Sequence, residues 1–130
     1  GNNNTIAVYE NATPLIVALT ESSAATASTL LTRGANINAS IRKLRFTTNR
    51  QLDYRDSENL TEAYLRENFT MNYEADGWTP LMEAVESGQS DLVILLLRQG
   101  ADRNASTKQG LTALKLAQQM KFTDIARILQ

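Results

Sequence analysis

Apolar positions in this chain recur at the spacing of short amphipathic helices. One such segment places four apolar residues on a single helix face: Leu92, Val93, Leu96 and Leu97. Ahead of it, Thr79 can cap a shorter helix, and Pro80 suits its first turn, where the missing N–H costs nothing. Gly100 suits the left-handed residue that ends a helix. The pattern therefore predicts a helix–turn–helix unit over 77–104.

The same pattern recurs along the chain at a fixed step. The matching tripeptides, separated by 66 and then 33 residues, are Thr13-Pro14-Leu15, Thr79-Pro80-Leu81 and Thr112-Ala113-Leu114. Gly34 and Gly100 each begin a Gly-Ala pair 21 residues after their threonine, and Asn38 and Asn104 follow at one common offset. A single helix pair is too small to bury its own apolar stripe, so we expect stacked copies to bury it.

The stretch from Gly77 to Asn104 reads GWTPLMEAVESGQSDLVILLLRQGADRN and, with the period of 33, resembles the ankyrin repeat family. Met82 stands where the family motif has histidine. The resemblance implies an all-α solenoid of about four stacked helix-turn-helix repeats with β-hairpin fingers. One domain over 1–130 would hold repeats near 11–43, 44–76, 77–109 and 110–130, the last as a C-terminal cap.

The second of these repeats is degenerate. Thr48 and Gln51 stand where the third repeat has apolar or small residues, so its first helix is poorly supported. A second helix is predicted after Ser57, with core positions Leu60, Ala63 and Tyr64. The segment 41–56 is therefore either a distorted helix or a long finger loop, and we expect it to be the least protected in hydrogen exchange. Because 66 is twice 33, we favour a divergent full repeat over an insertion.

The composition lacks the side chains on which most enzyme mechanisms depend. The 130-residue chain has no cysteine and no histidine, and its six glycines are scattered. It thus lacks thiolate nucleophiles, the usual zinc ligands, the common general base near neutral pH and a phosphate-binding glycine loop. Glu58 and Glu62 could share a helix face, but no other catalytic group accompanies them. We expect no enzyme activity, no metal and no cofactor.

The charge and hydropathy of the chain argue against nucleic-acid-binding, membrane-spanning and secreted proteins. The formal net charge of -1 offers no overall attraction for nucleic acid or an anionic membrane. No apolar run could span a membrane, and the start of the chain does not resemble a signal peptide. The resemblance implies an intracellular protein of the cytoplasm or nucleus, and we expect the isolated domain to be a monomer. Gly1 shares the phase of Gly34 and Gly100, so we expect a fragment of a longer chain.

The resemblance implies a protein–protein interaction module that binds on a concave face of fingers and first helices. The positions expected to contact a partner are Tyr9, Glu21, Asp76, Trp78, Glu83, Glu86, Ser87, Lys108, Gln109, Leu111, Gln119 and Met120. Three carboxylates are expected to line one stretch of this groove around Trp78. Such a groove favours a basic and apolar peptide segment of another protein. Trp78 has a second interpretation, as a residue that packs on the neighbouring finger.

Two other functions remain open. The chain could be a regulatory segment of a larger enzyme, channel or transcription regulator that acts intramolecularly. The basic stretch 42–50 could contact nucleic acid or lipid, but it has only Phe46 as an interleaved aromatic residue, and its charges could instead pair with the acidic block that follows. The resemblance also implies asparagine hydroxylation at Asn38 and Asn104, since each follows a leucine by eight residues.

Overall fold

The structure, a computed structural model, describes residues 4–130. Gly1, whose phase in the repeat led us to expect a fragment of a longer chain, lies outside these residues. In chain order the elements are β1 (Asn4–Glu10), α1 (Pro14–Thr20), α2 (Ala24–Thr32), β2 (Ile41–Thr48), α3 (Tyr54–Glu58), α4 (Glu62–Asn68), β3 (Thr70–Trp78), α5 (Pro80–Glu86), α6 (Ser90–Arg98), α7 (Ala113–Gln119) and α8 (Thr123–Leu129). They form a stack of helix pairs and, on one side of it, an antiparallel sheet of order β1-β2-β3.

The repeated local signals produce the helix pairs. Thr13, Thr79 and Thr112 cap α1, α5 and α7, and each side-chain oxygen accepts a hydrogen bond from the N–H three residues later. Gly34 and Gly100 follow the ends of α2 and α6 with the same φ of +93°. Only glycine adopts that conformation readily, so both pairs end in the same turn.

The helix pairs stack directly on one another. Helix α1 packs against α5 and α5 against α7, while α2 contacts α6 and α6 contacts α8. Asn38 Oδ1 accepts a hydrogen bond of 2.9 Å from the N–H of Asp102, which ties the turn of the first pair to the turn of the second. The shared core includes Leu15, Leu19, Leu81, Val85, Leu92, Leu96, Leu116 and Ile125. A solenoid of helix pairs with finger loops is therefore present.

The structure differs from the favoured prediction in the second repeat. Residues 44–76 form no helix pair within the stack, and the intervening chain is instead a long finger made of β2, α3, α4 and β3. The residues of β2 alternate, with Lys43 and Arg45 facing one side of the sheet and Leu44 and Phe46 the other, which is the period of a strand. The inserted finger happens to preserve the spacing of 66, so the residue count did not distinguish the two alternatives.

The finger has a small core of its own. Helix α4 covers the outer face of the sheet, where Leu44, Phe46, Leu65 and Phe69 are buried together. The predicted positions for a second helix are corrected accordingly. Asp53 and Thr61 cap α3 and α4 in place of Ser57, Leu60 is 50% exposed and Ala63 is exposed. Glu58 and Glu62 lie on different helices and do not share a face.

This finger changes the expected pattern of hydrogen exchange. Residues 41–48 form the central strand, so their amides should be protected to a degree similar to those of 91–98. Residues 49–61 carry exposed side chains at Leu52, Tyr54 and Leu60 and should exchange fastest. Amide exchange read residue by residue by NMR checks this. Equal, fast exchange over 41–48 and 49–61 would show that the sheet does not persist in solution.

Candidate functional site

The inner face of the finger sheet lies over α5, the first helix of the second helix pair. Residues paired across antiparallel strands share a face, so the register places Tyr9, Lys43, Arg45, Tyr73 and Ala75 together. Their ion pairs and hydrogen bonds with Glu83 and Glu86 show that this face meets α5. The finger therefore covers part of the surface that the sequence predicted to be open to a partner.

Lys43 is the centre of this contact. Its side chain is fully buried, its Nζ lies 3.6 Å from Glu83 Oε1, and it also pairs with Glu86. The ammonium sits 4.3 Å from the ring centroid of Trp78 and 4.9 Å from that of Tyr9. A buried charge requires opposite charges and hydrogen-bond partners, and here two carboxylates and two aromatic faces supply them.

Glu83 and Trp78 belong to the same buried cluster. Glu83, 4% exposed, accepts hydrogen bonds from Trp78 Nε1 at 3.0 Å and from the Tyr9 hydroxyl at 3.3 Å. Burial, together with the negative charges of Glu83 and Glu86, raises the pKa of Tyr9 above its ordinary value. Trp78 is 0% exposed. The prediction that Trp78 and Glu83 face a partner is thus corrected, because Trp78 is buried against Lys43 and Tyr73 of its own finger and against Glu83 of α5.

The other two predicted carboxylates are paired as well. Glu86 Oε2 lies 2.8 Å from Arg45 Nη2, and Asp76 Oδ2 lies 2.9 Å from Lys108 Nζ. Arg42, on the outer face, pairs with the carboxylates of Glu10, Glu62 and Glu74. The basic stretch and the acidic block therefore neutralise each other inside the chain. Within residues 4–130, the carboxylates predicted to line an acidic groove and Arg42, Lys43 and Arg45 of the basic stretch are thus already paired.

An open groove remains between β3 and α7, with a volume of about 400 Å³. It contains three of the predicted partner-contacting residues, Gln109, Leu111 and Gln119, and a neighbouring hollow that shares Tyr73 and Gln119 contains Met120. We call these two connected depressions the β3–α7 groove. The Tyr73 hydroxyl is buried and, within residues 4–130, has no hydrogen-bond partner. Met120 is 36% exposed and Leu116 forms part of the apolar lining.

The remaining predicted positions lie away from this groove or are partly covered. Glu21 is exposed just after α1, Ser87 donates a hydrogen bond to the Ala84 carbonyl, and Tyr9 is half-buried under the finger. Asn38 and Asn104 lie at exposed turns, and hydroxylation there stays a prediction.

Sequence reasoning missed Arg45, Tyr73 and Leu116 as groove residues. The first two were assigned to a degenerate helical repeat, and the available signal was the alternation of polar and apolar residues in β2. Leu116 lies on α7 and was not named among the predicted partner-contacting positions.

Among residues 4–130, no helix is both long enough and apolar enough to cross a membrane. The same residues contain no cluster of histidine, cysteine, aspartate or glutamate that could hold a metal ion.

Comparisons with known proteins agree with this architecture. A family model described as ankyrin repeats (3 copies) matches residues 53–130. The chain is 35% identical over 86 residues to Delta-latroinsectotoxin-Lt1a of Latrodectus tredecimguttatus, covering 64% of this chain and 7% of that protein. It is 46% identical over 50 residues to the 2-5A-dependent ribonuclease of Homo sapiens, covering 38% of this chain and 7% of that protein.

A solved structure has a similar fold. The ankyrin repeat domain of Bcl-3, described as a member of the IkappaB protein family, superposes with a TM-score of 0.59 at 27% identity. The match covers 88% of this chain and 36% of that one. The chain thus spans only a small part of the relatives it matches. Since the family model covers more than half of the chain and the helix pairs stack as its repeats do, this protein belongs to the ankyrin repeat family.

Proposed function

We propose that this domain binds a segment of another protein in the β3–α7 groove. Ankyrin repeats are in general protein–protein interaction modules, and the observation that supports this location is the groove itself. It lies between β3 and α7, beside the surface that the finger covers, and Tyr73, Leu116 and Met120 give it an apolar lining. Ligand sites are typically concave and mostly apolar with a few polar groups at the margin.

The chemistry of the expected partner differs from that of a free acidic groove. The carboxylates of Glu83 and Glu86 are engaged by the finger, so apolar contacts should contribute most of the affinity. Exposed ion pairs such as Asp76–Lys108 contribute only about 0–1 kcal/mol. The partner segment should therefore carry at least one apolar side chain that covers Met120. We place this interaction inside the cell, in the cytoplasm or nucleus.

A regulatory role within a longer protein is a second candidate. One relative is named as a ribonuclease, and the matched segment is 7% of its length. In that case the segment that fills the β3–α7 groove would belong to the same polypeptide. To distinguish a segment of the same polypeptide from a segment of another protein, binding of peptides to the groove is compared in proteins with and without the candidate segment.

Changing Met120 tests the groove. Met120→Glu should weaken binding of groove-binding peptides, selected from a random phage-displayed library, by about tenfold or more, because an apolar contact of roughly 1.5–3 kcal/mol is lost. Fluorescence anisotropy with the synthetic peptides measures the change. The matched control is Val17→Glu, since Val17 is 43% exposed on α1 and outside the groove. Unchanged affinity in Met120→Glu, or equal loss in both variants, would argue against this site.

A further inference from the structure

We propose that the partner segment binds as an extended strand that adds to the free edge of β3, with apolar side chains at alternate positions. This inference rests on the proposed function, because the edge of β3 forms one wall of the β3–α7 groove. The inference specifies the backbone conformation of the bound segment. The presence of a groove alone does not specify that conformation.

The backbone of β3 is open on this side at Glu74, beside a hydrogen bond at Asp76. In the order β1-β2-β3, only one edge of β3 is hydrogen-bonded to the sheet. The carbonyl of Asp76 accepts a 2.9 Å hydrogen bond from the N–H of Lys108, so it points away from β2. Successive residues alternate, and the pairing is regular from Tyr73 to Asp76, so the N–H and C=O of Glu74 point the same way. Among residues 4–130, neither backbone group of Glu74 has a partner outside the sheet.

The contact with Lys108 is the beginning of the same interface. The following finger is short, with a bridge between Ser106 and Thr112, and it reaches β3 at Asp76 and Gly77. Strand β3 extends beyond it, so an added strand would continue an edge contact that the chain already makes. Irregularities at Asn72 and Gly77 limit regular pairing to the four residues between them, about 13 Å of strand.

The side chains around this edge define the chemistry of the added strand. One face of the strand would meet Tyr73 and Met120, which calls for apolar residues. The other face would pass Glu74 and Asp76, which already pair with Arg42 and Lys108, so polar side chains without a required charge suit it. A second copy of β3 would place these carboxylates opposite each other. The like charges disfavour a dimer of this chain, and the apolar lining favours a segment of another protein with apolar residues at alternate positions.

An N-methyl scan tests the strand directly. Peptides selected from a random phage-displayed library, and dependent on Met120, would be synthesised with one backbone N-methyl group at each position in turn. Methylation at the one residue whose N–H meets the carbonyl of Glu74 should weaken binding about tenfold or more, while the other positions should change it less than about twofold. In the ¹⁵N-labelled protein, the amide of Glu74 should exchange more slowly when the unmethylated peptide is bound, whereas that of Leu60, at the finger tip, should not change.

The outcomes separate the two proposals. A uniform response to N-methylation together with unchanged exchange at Glu74 would overturn strand addition, while a continued dependence on Met120 would leave the proposed function intact. Failure of the library to yield any Met120-dependent peptide would count against the proposed function itself. Slowed exchange at Glu74 that rises with protein concentration in the absence of peptide, with a doubled mass in light scattering, would show that a second copy occupies the edge.

Discussion

Lys43→Met is expected to lower the free energy of unfolding by about 3–5 kcal/mol. The substitution keeps the length of the side chain, so the aliphatic packing between Trp78 and Tyr9 is largely retained. What it removes is the cation, and the side chain of Glu83, 5% exposed, is then left buried without its counterion. Urea-induced unfolding followed by circular dichroism measures the change.

Lys108→Met is the matched control for that variant. It makes the same chemical change in the Asp76 ion pair, where the lysine side chain is 78% exposed, and should cost less than about 1 kcal/mol. A second comparison combines Lys43→Met with Glu83→Gln, which removes both charges and should recover most of the lost stability. Similar stabilities for Lys43→Met and Lys108→Met would show that the finger does not bury Lys43 in solution.

Leu96→Ala is expected to destabilise the protein by about 2–5 kcal/mol. Leu96 is fully buried in α6, within the core that the stacked helix pairs share, and its truncation leaves a cavity there. With few repeats in the stack, the loss should also lower the stability of α7 and α8, which pack on α5 and α6. A urea titration with tryptophan fluorescence reports on the change through Trp78.

The control for this cavity is Leu60→Ala at the tip of the finger. Leu60 is 50% exposed, so the same truncation should cost less than about 1 kcal/mol. A loss of less than about 0.5 kcal/mol for Leu96→Ala would mean that Leu96 is not part of a shared core. A large loss for Leu60→Ala would instead indicate that the finger tip is covered in solution.

The helix pairs could be predicted from the sequence because their signals are local. A threonine that caps the first helix needs only the N–H three residues ahead, and Gly34 and Gly100 need only their own conformational freedom. The repeated phase of these residues then indicated which helix faces are apolar. The ankyrin repeat architecture, and the core position of Leu96, follow from such short-range information.

The long finger could not be predicted from the number of residues between the repeats. Its insertion and a degenerate repeat produce the same spacing of 66 between Thr13 and Thr79. The choice depends on pairing between residues far apart in the chain, such as Lys43 with Ala75 and with Tyr9. An isolated strand gains little stability until its neighbours are in place, so the local pattern of 41–48 was ambiguous.

The location of the β3–α7 groove also depends on contacts between residues far apart in the chain. The sequence indicated that Trp78, Glu83 and Glu86 lie close together on α5 and the finger, and they do. Only the folded finger brings Lys43 and Arg45 onto them from more than 30 residues away, which converts an apparent acidic groove into a neutral buried cluster. Burial of opposite charges against one another is a property of the assembled fold. The β3–α7 groove is what remains uncovered once those charges are paired.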